Sequence, residues 1–207
     1  TGGVMRLRQS AITNNSGALG PGILNAGSME VVNTTIASNG ITIVGTPGTI
    51  VNQGANAELM LYNTTIAGNI NVTPGAANFA IDNRSGARLV LINSVVANTS
   101  PQGQIRNQGT LSAATSLSLD GSLSAGNGNL NNTNPVLSAL ANHGGTTPSF
   151  LPANNSPLRN AGSQVVLAPL YGNPPFVDQR GAPRVQESGV DIGAVESSDA
   201  LFAQGFE

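Results

Sequence analysis

The sequence predicts an all-β protein, a right-handed parallel β-helix closed by an irregular C-terminal capping segment. A repeat is the first observation behind this prediction: "LYNTTIAGN" at 61–69 recurs thirty residues earlier as "VVNTTIASN" and thirty residues later as "LINSVVANT". The second is that each copy combines short β-branched segments with Gly and Asn turns, without an apolar stripe long enough for a helix. Stacked copies of one such coil form a β-helix.

The repeated phrase places an asparagine at one point of three copies, as Asn33, Asn63 and Asn93. Strand alternation puts Leu59 and Leu61 inside and would send Ile66 outside. The conflict disappears if the chain turns a corner at Asn63, because Asn tolerates the left-handed backbone conformation. An antiparallel sandwich also has short strands and frequent turns, but it does not require identical residues at identical corners.

A second phrase recurs as "ILN", "IVN", "IDN" and "IRN", each followed by Gly within two to three residues. Its asparagines should stack as one side-chain ladder, formed by Asn25, Asn52, Asn83 and Asn107. The corner residues Asn33, Asn63 and Asn93 should form another. Amide groups that bond one another along the axis would account for 25 asparagines in a chain without lysine.

These patterns divide the chain into coils over 1–120, a Gly/Asn-rich loop over 121–133, a cap over 134–196 and a tail over 197–207. The strand before the corner carries an outward stripe that is mostly apolar, made of Glu30, Val32, Met60, Tyr62, Val90 and Ile92. Since monomers rarely leave such stripes wet, we expect the cap to fold back over or next to this stripe. The alternative is a homo-oligomer interface through Met60, Tyr62, Val90 and Ile92.

Composition excludes several classes of function. The chain has no Cys and one His, His143, so Cys-based and multi-His metal centres are excluded and a metal would need oxygen ligands. The formal charge is −2 and basic residues do not cluster, which argues against nucleic-acid binding. The sequence predicts no membrane span. Because it starts at Thr1 without a signal peptide, we expect a processed or excised C-terminal piece of a longer protein.

The stretches "NPVLSALANHGGTTPSFLPANNSPLRNAGS" at 134–163 and "DQRGAPRVQESGVDIGAVE" at 178–196 resemble the C-terminal segment of bacterial β-helix proteins of the choice-of-anchor Q type. The resemblance implies export and a surface anchor, and it supplies no catalytic residue. The ending "GFE" is similar to endings of exported Gram-negative proteins, and its role stays open. We therefore expect an extracellular or outer-surface location in a Gram-negative bacterium.

A polysaccharide-lyase hypothesis would use Asp82 as a calcium ligand and Arg84, Arg88 or Arg106 as the base. In register, Asp82 faces Arg106 and Glu58 faces Arg88, so inter-coil ion pairs are the alternative interpretation. The repeats hold no cluster of three carboxylates, whereas calcium takes six or more oxygens. The Gly/Asn tract at 126–134 offers amide oxygens but no Asp. We assign no catalytic residue and no cofactor, with calcium the one candidate.

The cap contains an acidic cluster that a glycoside hydrolase could use, formed by Asp178, Glu187, Asp191 and Glu196. Its alternation with Arg180 and Arg184 is better explained by structure: the Asp side chains accept turn amides and the Arg side chains bridge strands. His143 in "NHGG" has no orienting carboxylate nearby in sequence and is interpreted as a loop residue.

The sequence thus supports two functions. The first is a secreted or cell-surface, adhesin-like scaffold that performs no reaction. The alternative is a carbohydrate-active β-helix enzyme, a lyase or hydrolase, or a polysaccharide-binding domain. The expected partners are an extracellular polysaccharide or another surface protein.

Overall fold

The computed structural model describes residues 3–43, 48–71, 78–98, 103–186 and 189–198. These residues form a parallel β-helix of about three turns, so the all-β fold prediction is confirmed. Every pairing between named strands is parallel and joins one coil to the next.

Three sheets make up the walls of the helix. The first contains β1 (Val4–Thr13), β4 (Ser28–Ala37), β7 (Glu58–Ala67), β10 (Arg88–Ile92) and β13 (Thr110–Ala114), extended past the corner by β11 (Val95–Ala97) and β14 (Leu117–Ser118). The second contains β3 (Ile23–Asn25), β6 (Gly48–Asn52), β9 (Phe79–Asn83) and β12 (Ile105–Asn107). The third contains β2 (Ser16–Gly17), β5 (Gly40–Ile41) and β8 (Ile70–Asn71). One short helix, α1 (Leu167–Tyr171), lies in the C-terminal segment.

The interior is filled by equivalent residues of successive coils. Leu59 lies between Met29 and Leu89 in the register, and all three are buried. Ile66, on the far side of the corner, is buried as well, because Asn63 adopts a positive φ of 47° and reverses the inside-outside alternation. The predicted corner is confirmed.

The predicted ladder on the second sheet is confirmed in full. Asn25 Nδ2 donates to Asn52 Oδ1 at 2.8 Å, Asn52 Nδ2 donates to Asn83 Oδ1 at 2.8 Å, and Asn83 Nδ2 donates to Asn107 Oδ1 at 2.7 Å. Each donor also reaches a backbone carbonyl, as Asn52 Nδ2 does with Arg88 O at 2.9 Å. The ladder therefore satisfies amides and carbonyls that the interior would otherwise leave unpaired.

A further ladder, which the sequence analysis missed, begins beside the third sheet. Asn15 Nδ2 donates to Asn39 Oδ1 at 2.9 Å, Asn39 Nδ2 to Asn69 Oδ1 at 2.9 Å, and Asn69 Nδ2 to Asn98 Oδ1 at 3.0 Å. The available signal was an asparagine six residues after the first two corners, at positions 39 and 69, and five residues after the third, at position 98.

The ladder predicted for the corner residues is wrong. Asn33, Asn63 and Asn93 share the predicted position, yet their side chains bond the C-terminal segment and not one another. Asn33 Nδ2 donates to Val177 O at 2.6 Å, and Asn93 Nδ2 donates to Ser163 O at 2.8 Å. The amides point outward from a left-handed corner, where a covering segment can reach them.

The two ends of the solenoid differ. Residues 121–133, predicted as a loop, form a partial further coil in which Leu130 pairs with Leu117 and Leu123 is buried in the main core. At the other end, Met5 occupies an interior position, opposite Met29 in the register, but is 61% exposed. Within the described chain, the last coil is thus covered and the first coil is open.

Candidate functional site

The first cluster of candidate residues surrounds Asp82 on β9. Its side chain points outward, since Ile81 and Asn83 face the interior, but Asp82 is fully buried. Arg106 of the next coil covers it, with Nε donating to Oδ1 at 2.8 Å and Nη2 donating to Oδ2 at 2.7 Å. Arg84 Nε donates to Oδ2 at 2.9 Å. The predicted Asp82–Arg106 register is confirmed.

This geometry limits what the cluster can do. Both oxygens of Asp82 accept hydrogen bonds from guanidinium groups. The carboxylate is therefore covered by these two arginines and does not face solvent or a metal cation. The hydrogen bonds that Arg106 donates to Asp82 raise the pKa of its guanidinium, which opposes a role as a base, because a base must lose its proton. Arg84 Nη1 donates to Gln53 Oε1 at 2.5 Å, and the Arg106 guanidinium lies 5.5 Å from the centre of the Phe79 ring.

A second set of ion pairs lies on the outer face of the first sheet. Arg88 pairs with Glu58 across two coils, as the register predicted. Glu30 accepts from Arg8 at 2.9 Å and lies 3.4 Å from Arg6. These exposed pairs join neighbouring coils, and each contributes at most about 1 kcal/mol.

The second cluster lies in the C-terminal segment and centres on Asp178, which is fully buried. Its Oδ1 accepts the backbone amides of Arg180 at 2.7 Å and Ala182 at 3.1 Å. Its Oδ2 accepts the amide of Glu196 at 3.0 Å and the Arg180 guanidinium at 2.9 Å. Asp178 therefore fixes a turn and ties it to the backbone of the cap at Glu196; acceptance of turn amides is what the alternation of charges predicted.

Asp191 performs the same task nearby. Its carboxylate accepts the amide of Asn160 at 2.8 Å, and the amide and hydroxyl of Ser197 at 2.7 and 2.5 Å. Arg184 is fully buried and donates to the carbonyl oxygens of Gly193 and Asp191. Arg184 Nε is 3.2 Å from Glu196 Oε1, close enough for charge attraction but outside hydrogen-bond geometry.

Glu196 carries the largest electrostatic perturbation in this cluster. Burial raises its pKa to about 8, and the charges of Asp191 and Asp178 add to the effect, while Arg184 and the Asp191 amide oppose it. The cluster holds the carboxyl groups of Asp178, Asp191 and Glu196 and the guanidinium groups of Arg180 and Arg184. A proton on Glu196 therefore gives the cluster as a whole no net charge. Glu187 lies outside the described residues.

Stability should fall as the pH rises from 5 to 8. The pKa of Glu196 is about 8 in the folded chain against an ordinary 4.5, so the folded state holds a proton that the unfolded state has released. The loss should be at most about 1.4 kcal/mol per pH unit. Chemical denaturation at pH 5, 6, 7 and 8 measures it, and Glu196→Gln should flatten the slope. An unchanged slope in the variant would contradict this assignment.

The C-terminal segment folds back over the corners of the coils, next to the outward stripe and not along its whole length. The Tyr171 hydroxyl donates to Asn33 Oδ1 at 2.7 Å and accepts from Asn63 Nδ2 at 2.9 Å. Thr35 Oγ1 donates to Gln179 Oε1 at 2.6 Å. Of the outward stripe, Val32 and Val90 are buried in the single chain. The oligomer predicted through Met60, Tyr62, Val90 and Ile92 stays a prediction.

Tyr171→Phe should destabilise the chain by about 1–3 kcal/mol, since it leaves Asn33 Oδ1 and Asn63 Nδ2 buried without their partner. Thermal and urea denaturation measure the loss. Tyr62→Phe is the matched control, because among the described residues no bond between coils and cap uses the Tyr62 hydroxyl, and it should stay within about 0.5 kcal/mol. Equal effects would show that Tyr171 does not fasten the segment.

His143 lines a cleft of about 430 Å³ together with Arg180 and Gln186. Its Nε2 lies 2.9 Å from Ser138 Oγ and 3.1 Å from Ala139 O. The Ser138 hydroxyl also accepts the Leu151 amide at 2.9 Å. In the described structure no carboxylate bonds this ring, so the pair matches a loop tie better than a catalytic dyad.

The described ranges contain no group of three or more His, Cys, Asp or Glu residues that could hold a metal ion. In the Gly/Asn tract, Asn129 Oδ1 accepts the Ser116 amide at 3.1 Å and Asn131 Oδ1 accepts the Leu123 amide at 3.1 Å. Those oxygens are engaged by backbone. No described helix is long and apolar enough to cross a membrane.

Comparisons with protein-family models, with curated proteins and with solved structures found no match to this chain.

Proposed function

We propose that this chain is a non-enzymatic, adhesin-like scaffold that acts at the outer surface of a Gram-negative bacterium or in its surroundings. The resemblance of residues 134–196 to choice-of-anchor Q segments supports export and surface attachment. In this role the β-helix serves as a stiff module that presents its outer face to a polysaccharide or to another surface protein.

One observation carries the scaffold proposal: the described carboxylates of both candidate clusters are engaged in holding the fold together. Asp82 is shared by arginines of its own and the next coil, and Glu58 pairs with Arg88 across coils. Asp178 and Asp191 fix turns of the C-terminal segment. An active site instead needs carboxylates or bases that face the substrate.

A polysaccharide-binding function is the second candidate, favoured by the surface around Asp82. Two partly exposed guanidinium groups, of Arg84 and Arg106, share the carboxylate of Asp82, and Arg106 lies over the ring of Phe79. Guanidinium groups bind carboxylates in a bidentate manner, so an acidic glycan is the ligand class that fits.

Two assays, each run with and without calcium, test the candidates. A glycan array detects binding, and ultraviolet absorbance detects cleavage of pectate or alginate. The scaffold proposal expects no ultraviolet-absorbing unsaturated product from pectate or alginate under either condition. Calcium-dependent product that disappears in Arg84→Ala or Arg106→Ala would overturn it. Binding to acidic glycans without product, lost in those variants, would support the second candidate.

The location is tested separately by labelling intact cells that express the full-length gene. Labelling of the protein by a reagent that does not enter cells is expected. Labelling only after cell disruption would contradict a surface role.

A further inference from the structure

We propose that Asn127 is a site of spontaneous backbone modification, at which the side-chain amide is lost and aspartate or isoaspartate is formed. The sequence contains two Asn-Gly pairs, at 39–40 and 127–128. Asn-Gly is the dipeptide most open to this chemistry, because glycine has no side chain to hinder its own nitrogen. The structure leaves one pair free to react and locks the other.

Asn127 has both reacting groups available. Its side chain is exposed at the tip of a turn, and within the described chain its carboxamide takes part in no hydrogen bond. The attacking group is the backbone nitrogen of Gly128, whose N–H has no acceptor among the described residues. Gly128 itself is exposed. Water, which completes the reaction, therefore reaches the site directly.

The chemistry requires only this dipeptide and water. The Gly128 nitrogen attacks Cγ of Asn127, a new N–Cγ bond forms, and the Cγ–Nδ2 bond breaks. Nδ2 leaves as ammonia and takes up the proton that the Gly128 nitrogen loses, so a cyclic succinimide remains. Water then adds to one of its two carbonyl carbons. Opening at one carbon gives aspartate, and opening at the other gives isoaspartate.

The Asn39 pair shows the opposite situation in the same chain. Asn39 is fully buried, and its Nδ2 donates to Asn69 Oδ1 at 2.9 Å, Ile12 O at 2.9 Å and Ala37 O at 3.0 Å. Its potential nucleophile is engaged too, since the Gly40 amide donates to Asn15 O at 2.8 Å. Neither the leaving amide nor the attacking nitrogen is free.

Modification of Asn127 would alter the coil that covers the end of the solenoid. The Asn127 carbonyl accepts the Thr115 amide at 2.8 Å. Two residues further on, Asn129 Nδ2 donates to Ala113 O at 3.0 Å. In isoaspartate the main chain runs through Cβ and Cγ of residue 127 and is one carbon longer, and the former Asn127 carbonyl becomes a free carboxylate beside the chain. These two hydrogen bonds could then no longer be satisfied together, so ageing would loosen this end.

The test is incubation of the folded chain at neutral to mildly alkaline pH in water enriched in oxygen-18, followed by peptide mapping with tandem mass spectrometry. We expect the heavy oxygen, and isoaspartate recognised by an isoaspartyl methyltransferase, at Asn127 and not at Asn39. Urea-unfolded chain should react at both sites. Asn127→Gln should abolish the isoaspartate signal at position 127 of the folded chain.

Two outcomes would overturn the proposal. One is reaction at Asn127 in the unfolded chain but not in the folded chain, which would mean that the fold protects this turn. The other is equal reaction at Asn39 and Asn127 in the folded chain, which would mean that the structural difference between the pairs does not govern the chemistry.

Discussion

Asp178→Ala is expected to lower the free energy of unfolding by about 3–5 kcal/mol, the range for breaking a buried charged network by removing one partner. The substitution leaves three backbone amides and the Arg180 guanidinium without their acceptor. Urea denaturation followed by circular dichroism measures the loss. The C-terminal segment should also become more sensitive to proteolysis, since Asp178 joins its turn to residue 196.

Asp178→Asn is the matched control for this prediction. It keeps one oxygen as an acceptor and the shape of the side chain, so its effect should fall clearly between wild type and Asp178→Ala. If Asp178→Ala changed stability by less than about 1 kcal/mol, as a surface site does, Asp178 would not hold the segment.

Asn52→Leu is expected to cost about 3 kcal/mol or more, because it interrupts the ladder at its centre. Asn52 is fully buried. Its loss leaves Asn83 Oδ1 and Arg88 O without the hydrogen bonds that Asn52 donates to them, and Asn25 Nδ2 loses one of its acceptors. Each buried group left unpaired costs about 1–3 kcal/mol. Equilibrium unfolding in urea is the measurement.

Position along the ladder supplies the control. Asn107 is exposed at the end and accepts a bond only from Asn83 in this ladder, so Asn107→Leu should cost about 1 kcal/mol or less. Equal losses at positions 52 and 107 would show that the effect comes from side-chain size and not from the ladder.

The stacked coils were predictable because each coil repeats the environment of the one before. Leu59 and Ile66 meet their counterparts in neighbouring copies, so a thirty-residue repeat already specifies their contacts. The ladder through Asn52 follows from the same logic. The ladder through Asn39 was not predicted because the residues around its asparagines differ from copy to copy, whereas each asparagine of the ladder through Asn52 follows an isoleucine two residues earlier.

The partners of the corner asparagines could not be predicted in the same way. Asn33 accepts a hydrogen bond from Tyr171, 138 residues later, and no repeat relates the two positions. Where a non-repeating segment docks depends on its own turns, which Asp178 and Asp191 fix. The alternation of charges predicted that Asp178 and Asp191 fix turns. The burial that raises the pKa of Glu196 could not be predicted, because it arises only when the segment folds.

The two side-chain ladders share a direction. In each, the Nδ2 group of one coil donates to the Oδ1 atom of the following coil, from Asn25 to Asn107 and from Asn15 to Asn98. Their amide dipoles therefore align head to tail along the axis and reinforce one another, much as peptide dipoles do in an α-helix. The two ladders are thus polarised along the axis, with the negative end towards the first described coil and the positive end towards the last.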